Sequence, residues 1–233
     1  SNGGEIHFDT KVVDFIIEND IMKGVVLQNK DKVLAKKTIL ATGHSARDIF
    51  KLLDKKSIEI KYKPFAMGIR IEHPQNLIDQ IQYSCNERGP YLPPASYKLV
   101  TQTNNRGVYS FCMCPGGFIV PAATNSGEIV VNGMSPSKRD SIYSNSGMVV
   151  EVKEEDLKPY EKYGQLKGLY YQMALEKSMC KLTPDLQVAP AQRMVDFINK
   201  KTSSNLNRTS YQPGILSQPL HEILPNCISH SLS

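Results

Sequence analysis

The chain has 233 residues, a formal charge of +5 and 40% hydrophobic residues, enough for one large or two small domains with a true core. No run reaches the roughly 18 apolar residues that a membrane span requires, and the N-terminal SNGGEIHF lacks the basic and apolar regions of a secretory signal. The expected compartment is therefore the cytoplasm. The excess charge sits on lysines, with concentrations at Lys30, Lys32, Lys36 and Lys37 and again from Lys51 to Lys63; without interleaved aromatics or a recognition motif this predicts a solvated face and no nucleic-acid partner.

In chain order, EIHFDTKVVDFIIEN reads as a first strand, with Ile6, Phe8, Thr10 and Val12 alternating. After Glu18-Asn19-Asp20, DIMKGVVLQN reads as a second strand; after Asn29-Lys30-Asp31, KVLAKKTILATG reads as a third. The apolar run Thr38-Ile39-Leu40-Ala41 predicts a strand buried on both faces. It ends at Thr42-Gly43 and leads into HSARDIFKLLDKK, a predicted helix with Ser45 as N-cap and Asp48 in capping-box position. A Gly turn at a strand-helix junction suits an anion, because the backbone approaches closely and the helix end is electropositive.

From Ile58 to Ile71 a strand region is expected, with Gly68 as a bulge, followed by a helix over HPQNLIDQIQYS with Leu77, Ile78 and Ile81 on one face. SYKLVTQTNNRGVYSFCMC reads as a hairpin turning at Asn104-Asn105-Arg106-Gly107, and GGFIVPAATNSGEIVVNGMS as another turning at Asn125-Ser126-Gly127. SGMVVEV adds a short strand. Leu166, Leu169, Tyr170, Met173 and Ala174 predict a helix over Tyr163 to Lys181, and APAQRMVDFINKK a helix beginning at Pro190. TSSNLNRTSYQPG is a polar loop. The fold class is α+β, a three-stranded β-meander plus a mixed or antiparallel sheet with packed helices.

The meander ending in TILATG resembles that of the two-dinucleotide-binding-domain flavoproteins, whose ATG turn returns the chain to the FAD-binding Rossmann sheet. More specifically, KPFAMGIRIEHPQNLIDQIQY, YKLVTQTNNRGVYSFCMCPGGFIVPAA and GEIVVNGMSPSKRDSIYSNSGMVVEV are similar to bacterial FAD-dependent, or NAD(FAD)-utilising, dehydrogenases, a resemblance that covers most of residues 3 to 225. It implies a middle or inserted domain of a flavoprotein oxidoreductase: residues 1–57 as meander, ATG turn and following helix, 58–225 as an inserted α+β substrate or cap domain, and 226–233 as a truncated end. It also implies FAD as cofactor of the intact protein, NAD(P)H as electron donor or acceptor, and as partners the flanking Rossmann segments and a small-molecule substrate. Val12 would lie on the adenine side, Ala41, Thr42 and Gly43 beside the dinucleotide, and the Gly116-Gly117 turn near the flavin or substrate.

The family's pattern needs an early G-x-G-x-x-G for the pyrophosphate, and this chain contains no G-x-G. The family's glycine-rich C-terminal flavin segment has no counterpart either. The chain, which starts without methionine and in strand-like sequence, is therefore expected to be an excised piece that does not retain FAD alone. A non-enzymatic module recognising an acidic or phosphorylated partner is the alternative.

Candidate chemistry is sparse. The five histidines, His7, His44, His73, His221 and His230, lie in separate elements, and neither C-x-x-C nor G-x-S-x-G occurs, which argues against a zinc site or a nucleophile elbow. Two polar clusters at strand ends remain: Arg70, Glu72 and His73, and Asn132, Ser135, Ser137, Lys138 and Arg139 with Asn145-Ser146-Gly147 nearby. His44, directly after the ATG turn, is a weaker candidate. The five cysteines are expected to be reduced. In FCMCPGG, an extended 111–114 would place Cys112 and Cys114 on one face, as small buried thiols or a strained pair, while Gly116 and Gly117 allow close approach of a backbone or a planar ring.

Overall fold

The computed structural model describes residues 3–184 and 187–233, and the chain divides into two units, Ser1–Ile60 and Lys61–Ser233. In the first, β1 (Val12–Glu18) and β2 (Ile21–Leu27) form an antiparallel hairpin, closed by Asn19 and Asp20 at φ 50 and 60. Positive φ at both central positions is the turn that matches strand twist, and Asn and Asp tolerate it. β3 (Lys32–Leu34) adds an edge, and α1 (Arg47–Lys55) follows. The Lys56 ammonium lies 2.8 Å from the Asp14 carboxylate, joining the end of α1 to β1 and holding that carboxyl below its ordinary range.

Three expectations fail in this unit. The first strand starts only at Val12, and Ile6 and Phe8 stand about four-fifths exposed. The third ends at Leu34; residues 38–43 form no strand, and Ile39 is 90% exposed. An apolar run becomes a buried strand only where strands on both sides pair with it, and none among the described residues does. Ser45 does not cap α1: Ala46 takes that position with no side-chain cap, while the Ser45 hydroxyl is bonded to His44 Nδ1 at 2.7 Å.

The second unit is built on β4 (Phe65–Pro74), which runs through α2 (Gln75–Tyr83) and a loop to the hairpin β5 (Val100–Thr103) and β6 (Arg106–Cys114). A smaller hairpin, β7 (Phe118–Pro121) with β8 (Val131–Met134), precedes β9 (Tyr143–Val152). β9 pairs with β4 along ten residues without a shift and with β6 on its other side, giving an antiparallel sheet in the order β4-β9-β6-β5. The Asn104-Asn105 turn, at φ 53 and 58, sets the β5-β6 register as expected.

One face of this sheet, with Met67, Ile69, Val108 and Val150, is covered by later elements. A 3₁₀ segment, Glu154–Leu166, breaks at Gly164 (φ 53) into α3 (Lys167–Cys180); β10 (Ala189–Ala191), α4 (Met194–Ile198), β11 (Ile215–Ser217), α5 (Leu220–Ile223) and α6 (Asn226–Leu232) follow. Met179, Phe197, Leu220, Leu224 and Ile228 close the core, each contributing about 1.5–3 kcal/mol of burial. β10 and β11 pair in parallel, so Pro190 lies in a strand rather than at a helix start. Within α2, Ile78 is buried while Leu77 and Ile81 are exposed; Gln75 and Asp79 take the inward positions instead. The polar 202–214 loop is held within the chain: Ser203 bonds Asp196 and Tyr211 donates to the Gln187 carbonyl.

Gly68 is not a bulge. A Cβ there would lie 1.9 Å from the Met148 carbonyl oxygen of the paired strand, so the residue is glycine because two backbones approach closely. Gly107 in β6 has open space at the same test. Gly68→Ala should therefore cost about 2 kcal/mol or more, whereas Gly107→Ala should be neutral or slightly stabilising; urea midpoints of the two variants check this, and equal midpoints would contradict it.

Candidate functional site

Regular pairing of β4 with β9 fixes which side chains share a face. Arg70 and Glu72 lie opposite Gly147 and Asn145, with Ile71 and His73 on the other face opposite Ser146 and Ser144. The two polar clusters of the sequence, far apart along the chain, thus meet at one end of the sheet. Arg70 Nη1 donates to Asn145 Oδ1 at 2.6 Å and to the Cys112 carbonyl at 3.3 Å, and Nη2 donates to Asn132 Oδ1 at 3.2 Å. One guanidinium therefore joins β4, β9, β6 and β8.

The geometry of FCMCPGG explains how β6 takes part. Phe111 pairs with Gly147 and Cys114 with Asn145, so β6 spends one more residue than β9 over this interval. That is a β-bulge. Cys112 sits at φ 45 within it and its carbonyl meets Arg70, a left-handed conformation that costs a non-glycine residue about 1–2 kcal/mol. The same-face alignment expected for an extended 111–114 does not occur. Both thiols are free, Cys112 exposed and Cys114 half-buried, with Cys114 Sγ 3.4 Å from the Cys112 carbonyl oxygen.

Pro115, Gly116 and Gly117 are buried. Gly116, at φ 53, would place a Cβ 1.9 Å from the Arg139 carbonyl oxygen, and Gly117 one 2.5 Å from that of Met134. It is backbone that approaches this turn closely. Gly116 N–H donates to Gln75 Oε1 at 2.7 Å and Gly117 N–H to the Tyr143 carbonyl at 2.9 Å. Gln75 in turn donates to Asp79 at 2.8 Å, and Asp79 accepts from Ala95 N–H and from Arg88 Nε at 3.0 Å. Sequence reasoning missed Gln75 and Asp79; their i, i+4 spacing on α2 was the available signal.

Glu72, on the same face as Arg70, makes no ion pair with it. Its carboxylate accepts from the Ser210 backbone N–H at 3.1 and 3.2 Å and from the Ser210 hydroxyl, whose oxygen accepts from Ile119 N–H at 2.9 Å. Of the other loop candidates, Ser135 donates to the Pro115 carbonyl at 2.9 Å, and Ser137, Lys138 and Arg139 are exposed. No group of three or more His, Cys, Asp or Glu among the described residues is placed to hold a metal. No helix among them is long and apolar enough to cross a membrane.

In the first unit, Val12 opens β1 opposite Leu27. Ala41, Thr42 and Gly43 are exposed and make no hydrogen bond among the described residues, and Gly43 adopts φ 77 with open space where a Cβ would be. His44 is exposed beside Ser45.

On the sheet's other face His73 Nε2 and the Tyr97 hydroxyl lie 2.9 Å apart, ring edge to ring face. Burial holds the imidazole below its ordinary range, opposed in part by Glu72, and pushes the phenol up. A lowered folded value means that the unfolded chain binds the proton more readily. The stability this contributes is full above the unfolded value of about 6.5 and is lost as pH falls through the lowered folded value. Thermal melts at about pH 7 and about pH 5 should thus show a larger fall in Tm for the wild type than for His73→Gln; equal falls would contradict the assignment.

Comparison with known proteins places this geometry in a family. The family described as "FAD-dependent protein, C-terminal domain-like" matches residues 64–233, which contain β4 to β9 and all the helices that cover them. A protein of Clostridium beijerinckii (strain ATCC 51743 / NCIMB 8052), described as "Uncharacterized protein", is 38% identical over 234 residues, covering 99% of this chain and 43% of its own length. The chain thus spans less than half of that relative. It belongs to the FAD-dependent protein family whose C-terminal-domain-like region includes the Arg70 cluster.

Proposed function

We propose that the chain is part of an FAD-dependent oxidoreductase, a dehydrogenase in which it supplies the meander and an inserted cap region bordering the flavin and the substrate. The family match over residues 64–233 carries this reading. NAD(P)H as electron donor or acceptor, flanking Rossmann segments as partners and a small-molecule substrate complete it.

The residues present fit one edge of such a cofactor. Ala41, Thr42 and Gly43 offer backbone N–H groups without internal acceptors, and Gly43 leaves room for close approach. Val12 is the proposed adenine-side contact. The pyrophosphate cradle would come from elsewhere in the parent, because this chain has no G-x-G. When bound, FAD supplies the electron or hydride chemistry, and the protein supplies binding, orientation and electrostatics. Gly116 and Gly117 act on the site through shape: they let the 134–141 backbone lie against the end of β6, beside the residues that hold Arg70.

The parent protein should purify with stoichiometric FAD, and residues 1–233 alone with none. Flavin absorbance of the two samples, read after gel filtration, checks both statements. A folded parent that neither carries nor takes up FAD would overturn the reading, and a flavin-loaded isolated chain would overturn the assignment of the cradle to other segments.

A further inference from the structure

Hydrogen-bond accounting around Arg70 leaves donors over and no acceptors. A guanidinium has five N–H groups and cannot accept. Three are used, on Asn145, Cys112 and Asn132, which leaves Nε–H and one Nη2–H. Because Arg70 takes both amide oxygens, it fixes the orientation of both side chains and directs their NH2 groups elsewhere. Asn132 Oδ1 also accepts from Gly133 N–H at 2.8 Å, so only its NH2 is uncommitted. Asn145 is 0% exposed and its Nδ2 has no partner among the described residues, an arrangement that costs about 1–3 kcal/mol and that holds the side chain in place through Arg70 alone.

Charge points the same way. Among the described residues Arg70 makes no ion pair, and Glu72, the nearest acid along β4, gives its carboxylate to Ser210. The guanidinium meets neutral oxygens only. Asn132 is exposed, so the Nη2 side of the cluster opens to solvent, while Gly133 packs against its buried side: a Cβ there would lie 2.2 Å from Asn145 Oδ1 and 2.3 Å from Arg70 Nη1.

We infer that the open edge of Arg70, beside the NH2 group of the exposed Asn132, is a binding site for the carboxylate of a small organic acid. A carboxylate supplies the missing negative charge and two oxygens in the planar spacing that a guanidinium edge matches. The site is defined by this chain's own residues and holds whether or not the flavin reading does.

The test is a titration of the isotope-labelled chain with acetate, following the Arg70 Nε–H and the Asn132 NH2 resonances, with chloride at matched ionic strength and phosphate as separate arms. Acetate is expected to shift these signals saturably and chloride to leave them unsaturated. Asn132→Asp, an isosteric change at an exposed position, places an internal carboxylate against Nη2 and should abolish the acetate response while raising Tm. Arg70→Lys keeps the charge, loses the planar fork and should weaken binding about tenfold. Acetate shifts no larger than those of chloride, saturation by phosphate alone, or unchanged acetate binding by a folded Asn132→Asp would each overturn the inference.

Discussion

The polar end of the second unit depends on one cation held by neutral oxygens. Arg70 reaches a side chain on β9, a backbone carbonyl in the bulge of β6 and a side chain on β8, so the positions of three strands are referred to one planar group. Hydrogen bonds from a charged donor are stronger than neutral ones, about 1.5–3 kcal/mol each, and their geometry is fixed by the fork. The strained Cys112 conformation is explained by this: its carbonyl is one of the three acceptors. Gly133 lies so close that any side chain there would displace the guanidinium or Asn145.

Around this centre, Glu72, Gln75 and Asp79 are satisfied inside the chain and carry positioning rather than chemistry. Glu72 fixes the 202–214 loop through Ser210, and Ser210 fixes the start of β7. Gln75 and Asp79 fix the Gly116 turn and the Ala95 loop. At the opposite end of β6, Arg106 is paired to Asp156 at 2.6 Å and to Glu155 at 3.2 Å. The contrast between Arg106, with two acids, and Arg70, with none among the described residues, separates a structural arginine from one whose charge is left for a ligand.

Much of the second unit was legible because its signals are local. Asn-Asn at a turn, the apolar, β-branched run in β9, and the 3.6-residue period before Cys180 each depend on neighbours a few residues away. The meeting of Arg70 with Asn132 and Asn145 was not legible, since it follows from the β4-β9 register and from a bulge whose only trace in sequence is Pro-Gly-Gly after Cys114. The apolar run at 38–41 misled for the complementary reason. Its hydrophobicity states that something covers it and not what does, and among the described residues no strand pairs with it. Gly68 shows the same limit on a smaller scale: glycine within a strand fits a bulge or a close backbone contact equally well, and only the facing Met148 carbonyl distinguishes them.

The open edge of Arg70 is kept for a ligand, and the rest of the cluster holds that edge in place. The most direct measurement is a crystal structure of the whole protein grown in an acetate-containing solution. The expected result is a carboxylate on the Nε and Nη2 edge of Arg70, within hydrogen-bond reach of Asn132. An aspartate or glutamate from another part of the parent paired with that edge would contradict it.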